Sequence, residues 1–90
     1  MTDRHELVED LYHHLEATAS LPVATRPSQY LGEAQAIVGD ARGAPEPVVE
    51  KRVSQAALLL SHVDETGSEE ADEHVERARE VVDEVLSEVR

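Results

Sequence analysis

Two groups of side chains in this chain have the types and spacing that chemistry uses. Glu69, Glu70 and Glu73, followed by Glu80 and Asp83, place five carboxylates within fifteen residues. Oxygen donors grouped in this way are candidates for holding a hard divalent cation. Histidine supplies the second group, because Glu9 with His13 and Asp10 with His14 are i, i+4 pairs. On a helix each pair would offer two ligands to one ion. Nothing else in the sequence has the form of a nucleophile with its base, a phosphate-cradling glycine loop or a complete metal motif, and with no cysteine there is no thiolate and no disulfide.

Both groups depend on helices to position them, and helical geometry weighs against each. With Glu69 at 0°, Glu73, Glu76, Glu80 and Asp83 fall within about 50° of it at 100° per residue, whereas Val75, Ala78, Val82 and Val85 centre near 200°. The acids therefore point away from the apolar side, while metal ligands in helical bundles project inward. A solvated face is the better reading, with Glu69, Glu70, Glu73, Glu80 and Asp83 as a metal site its rival. His5 and His13 lie about 12 Å apart along a helix axis, too far to share an ion. Asp10-x-x-His13 imitates half of a di-iron motif, but the chain has no Glu-x-x-His to supply the other half. His13 and His14 are expected to face solvent. His62 and His74 fall at the edges of apolar faces, and Tyr12 and Tyr30 fall at apolar positions and read as core.

The elements follow from apolar periodicity. A first helix is expected over about 3–19, with Thr2 as its N-cap and Leu7, Val8, Leu11 and Leu15 on one side. A linker over 20–26, the longest in the chain, leads to Pro27, where a second helix should begin and run to Arg42 with Gly43 as its stop. Tyr30, Leu31, Ala34, Ile37, Val38 and Ala41 share its inner face. A third helix over about 47–65 lines up Val49, Val53, Ala56, Leu60 and Val63, and Gly67 closes it. Ser68 caps a fourth, whose Ala71, Val75, Ala78, Val82, Val85 and Val89 repeat at heptad spacing. Four amphipathic helices with short connections predict an all-α, antiparallel up-down four-helix bundle in a single domain, residues 1–90. The alternative is a three-helix core whose C-terminal helix pairs with a second chain.

Composition bounds the rest. Twenty Asp and Glu stand against eight Lys and Arg, the net charge is -12, and Lys51 is the single lysine. Residues 64–90 carry net -8 and residues 1–63 net -4. An acid coat on an Ala- and Val-rich core suits a cytoplasm of high salt, where the Debye length shrinks to about 3 Å at 1 M. The same charge argues against direct nucleic-acid binding, which needs a basic footprint. No run approaches the roughly 18 apolar residues of a membrane span, and the N-terminal residues lack the apolar stretch of a signal peptide, so a cytoplasmic location is expected. There is no Phe or Trp, so the core is thin. On the third helix Leu58 lies opposite the apolar seam and Val48 and Leu59 widen its arc, so these three are the interface candidates. Gly32, Ala36 and Gly39 form a small-residue patch on the second helix.

Three resemblances bear on function. Glu69-Glu70-x-x-Glu73 with Glu80-x-x-Asp83 looks like the acidic signature of all-helical nucleotide pyrophosphohydrolases, which implies Mg²⁺ and a nucleoside triphosphate. That family sets its acidic groups on different helices, whereas six residues separate Glu73 from Glu80 here. Small helical toxin ribonucleases place a His a few residues after an Arg. Nine residues separate Arg52 from His62, so that activity is not carried over. Through Tyr30-Leu31-Gly32-Glu33-Ala34 and Val63-Asp64-Glu65-Thr66-Gly67 the whole chain resembles small acidic helical proteins of halophilic archaea, a group with no assigned activity. The expected function is a non-enzymatic, self-associating protein–protein interaction module with no cofactor, acting as a homodimer or with a protein partner. The alternatives are the Mg²⁺-dependent hydrolase and an acidic, antitoxin-like regulatory subunit.

Overall fold

In a computed structural model, which describes residues 3–87, the chain folds as four α-helices: α1 (Arg4–Ala19), α2 (Thr25–Ala41), α3 (Glu46–Leu60) and α4 (Glu69–Ser87). Each helix packs on its sequence neighbour and α1 also packs on α4, whereas the diagonal pairs do not meet. This is the cyclic order of an antiparallel up-down bundle. α4 is an integral wall of it, packed on both α1 and α3, which sets aside the three-helix alternative. No helix among the described residues is long and apolar enough to cross a membrane.

The expected inner faces supply the core. Leu7, Val8, Leu11 and Leu15 of α1 meet Leu31, Ala34, Val38 and Ala41 of α2, Val49, Val53, Ala56 and Leu60 of α3, and Val75, Ala78, Val82 and Val85 of α4. Val81 joins them from the edge of the α4 stripe. Tyr12 and Tyr30 are half-buried against this core. Gly39 faces Tyr12, whose ring would stand 3.4 Å from a Cβ at that position, an ordinary packing contact. One member of the small-residue patch is thus used within the chain, while Gly32 and Ala36 are exposed.

The helix ends depart from expectation at several places. Asp3 caps α1, its carboxylate accepting from the His5 N–H at 3.2 Å; Thr2, the expected cap, and Val89 lie outside the described residues. α2 starts at Thr25, two residues before Pro27. A proline in the first helical turn lacks only an N–H that has no partner there in any case. Gly43, at φ 72°, ends α2 as expected.

α3 stops at Leu60, short of Glu65, so the longest connection is 61–68 and not 20–26. Val63 remains buried, on a turn instead of a helix. Arg79 of α4 reaches over, its Nη2 donating to the Leu60 carbonyl at 2.7 Å and to the Val63 carbonyl. A guanidinium on the terminal carbonyls satisfies them and complements the negative end of the helix dipole. Thr66 then turns inward, fully buried, and its carbonyl accepts from the Ala24 N–H at 2.8 Å, which ties the two connections at this end together. Gly67, at φ 88°, precedes Ser68 and belongs to the start of α4, where Ser68 Oγ accepts from the Ala71 N–H at 3.3 Å.

Candidate functional site

The acidic stripe of α4 is built as its periodicity implies. With the valines turned inward, Glu69, Glu70, Glu73, Glu80 and Asp83 are all exposed. Glu73, Glu76 and Glu80 line an open depression with Arg77, a cation that the carboxylate motif does not include. Among the described residues no group of three or more His, Cys, Asp or Glu side chains is placed to hold an ion. Asp72 differs from the rest of the stripe, because its Oδ1 accepts from the Thr66 N–H at 2.8 Å and hydroxyl at 2.7 Å. These two bonds, the hydroxyl first, hold its carboxyl below the ordinary aspartate value against a smaller opposing desolvation. Asp72 thus locks the 61–68 connection onto the first turn of α4.

The histidines divide into two kinds. His13 is exposed as expected, within 3.8 Å of Glu9 and 3.4 Å of Glu16. His14 departs from expectation. It is half-buried, with 24% of its side chain accessible, and its Nδ1 stands 3.0 Å from Nδ1 of His74 on α4. Asp10 Oδ1 lies 3.6 Å from the opposite nitrogen, His14 Nε2. His14 also lines a groove of about 450 Å³ between α1 and α4, walled by Glu6, Asp10, Glu80, Glu84 and Arg77. The two histidines are sixty positions apart in the sequence, and each lies at the flank of its helix's apolar stripe. Only the adjacency of α1 and α4 brings them together. His62 stacks on Tyr30, with ring centroids 5.3 Å apart and planes 20° from parallel.

Glu9, paired on sequence grounds with His13, has a stronger partner in Arg42 at the end of α2. The guanidinium donates to both its oxygens, Nε at 2.9 Å and Nη2 at 3.0 Å, and lies 4.2 Å over the Tyr12 ring. The bond to Arg42 is the main cause that lowers the Glu9 carboxyl and raises Arg42. This fork links α1 to α2, and Glu9 is not available as a free ligand.

The outer surface of α3 is different in character. Leu58 is 66% and Val48 39% exposed, and Leu59 is half-buried at the core edge. Around them α3 carries Glu46 and Glu50 against Lys51 and Arg52, a net charge of zero, whereas α4 carries eight acidic and two basic residues.

The fold defines a small helical bundle whose exposed apolar side chains stand on its one charge-balanced helix. Within that class the chain belongs to the family described as a domain of unknown function, DUF8152, whose model matches residues 7–90. No curated protein and no solved structure shows significant similarity to it.

Proposed function

We propose that this chain is a non-enzymatic protein–protein interaction module of a halophilic cytoplasm that self-associates through the outer face of α3. The observation that supports this reading is the exposure of Leu58 and Val48 on the helix whose charges cancel. Two copies of a chain with net charge -12 repel wherever acid faces meet acid, and that repulsion is least at α3. Burying the two side chains against a second copy would remove apolar surface from water, at roughly 25 cal/mol per Å². The thin core and acid coat support the halophilic setting, because screening relieves the self-repulsion of the folded chain.

The test is Leu58→Glu, assayed by light scattering and circular dichroism in concentrated KCl. Leu58 is exposed in the single chain, so a carboxylate there leaves the fold intact. The wild type is expected to run as a dimer or larger assembly and the variant as a helical monomer. A wild type that stays monomeric at all protein concentrations refutes the proposal.

A further inference from the structure

We propose that His14 and His74 form a binding site for a borderline transition-metal ion of the Zn²⁺ class, clamping α1 to α4. Their Nδ1 atoms stand 3.0 Å apart. A tetrahedral ion with metal–nitrogen distances of about 2.0–2.1 Å holds two nitrogen ligands about 3.3 Å apart, so the rings need move only a few tenths of an ångström to receive one. Asp10 favours this arrangement. Its Oδ1 is 3.6 Å from His14 Nε2, just outside hydrogen-bond distance, and a small turn of this exposed side chain would close the bond, hold the proton on Nε2 and leave the Nδ1 lone pair facing His74, the carboxylate–histidine arrangement found behind metal ligands.

Without an ion, His74 Nδ1–H donates to that lone pair. With one, His74 changes tautomer, its proton moves through solvent from Nδ1 to Nε2, and both Nδ1 lone pairs bind the metal with no net proton change. Because no third side chain among the described residues joins the two imidazoles, water completes the shell. The adjoining groove reaches the pair at His14, and its carboxylates Glu6, Asp10, Glu80 and Glu84 outweigh its one cation, Arg77. Imidazole donors select Zn²⁺, Ni²⁺ or Cu²⁺ over Mg²⁺, which prefers oxygen.

Titration calorimetry with Zn²⁺ at constant ionic strength tests the site. One ion per chain is expected. Affinity should fall by about tenfold or more in His14→Gln and in His74→Gln, and by a similar factor in Asp10→Asn, as for the loss of a partner behind a metal ligand. His13→Gln, on the same helix but facing solvent, should bind as the wild type does, and Mg²⁺ should give no comparable heat. In the wild type, ¹⁵N resonances of the His14 and His74 rings should shift with Zn²⁺ while those of His5, His13 and His62 stay, a readout that holds even where a variant loses structure. The absence of stoichiometric binding, or an equal loss in His13→Gln, would overturn the site and leave the pair as a hydrogen bond between helices.

Discussion

Replacing Arg79 with Met should destabilise the domain far more than its sequence context suggests. Arg79 sits among the charges of the most acidic helix, where exchange of a solvated arginine would change stability by less than about 0.5 kcal/mol. Instead, its Nη2 donates to the carbonyls of Leu60, the last residue of α3, and of Val63 on the turn that follows. Methionine keeps much of the aliphatic stem and removes the donors. A hydrogen bond to a charged group contributes about 1.5–3 kcal/mol, and the two share one guanidinium, so a total loss of about 2–3 kcal/mol is expected. A domain of this size holds roughly 5–13 kcal/mol in all, at 0.05–0.15 kcal/mol per residue. At about 4–8 °C per kcal/mol, the melting temperature should drop by roughly 8–24 °C. Thermal denaturation followed by circular dichroism at fixed high salt measures it, with Arg77→Met as the exposed control on the same helix. Arg79→Lys should recover part of the loss, since an ammonium can reach one carbonyl but lacks the guanidinium fork. If Arg79→Met and Arg77→Met melt together within error, the capping role assigned to Arg79 is wrong.

The depressed Asp72 carboxyl makes an acid limb: its contribution is complete above the ordinary aspartate value of 3.8 and is lost as the pH falls through the lower value of the folded state. Asp72→Asn should therefore melt lower than the wild type at neutral pH, with the two curves converging in acid, and a constant gap across the pH range would contradict the assignment. Salt should stabilise the domain, because raising KCl from about 0.1 M to about 1 M shortens the Debye length from about 10 Å to about 3 Å. A melting temperature that does not rise over that range would remove the halophilic part of the proposed function.

The bundle was legible because its inner faces obey a local rule. Leu7, Leu11 and Leu15, or Val75, Ala78, Val82 and Val85, lie on one side of any helix they form, and apolar side chains on one side must be covered. The outward direction of Glu69, Glu73, Glu80 and Asp83 follows from the same rotation, while Glu70 stands at the flank. Helix ends were less legible, since Pro27 is as compatible with the first turn of α2 as with its first residue. Val63 fits the α3 heptad spacing although it is buried from a turn. At these places several backbones satisfy one pattern, and the choice falls to partners distant in the chain.

Amino-acid sequence by itself determined the helix count, the buried stripes, the acid coat and the position of Leu58 opposite the seam, because each depends on composition or on the angular repeat within one helix. Tertiary structure alone decided which flanks face each other. It set His14 against His74, gave Glu9 a closer partner in Arg42 than in His13, put Arg79 on the end of α3, and joined Thr66 to Asp72 and Ala24. The physical reason is range: a hydrogen bond or a ligand pair requires atoms within about 3 Å, and periodicity along one helix carries no information on which residue of another helix lies that close.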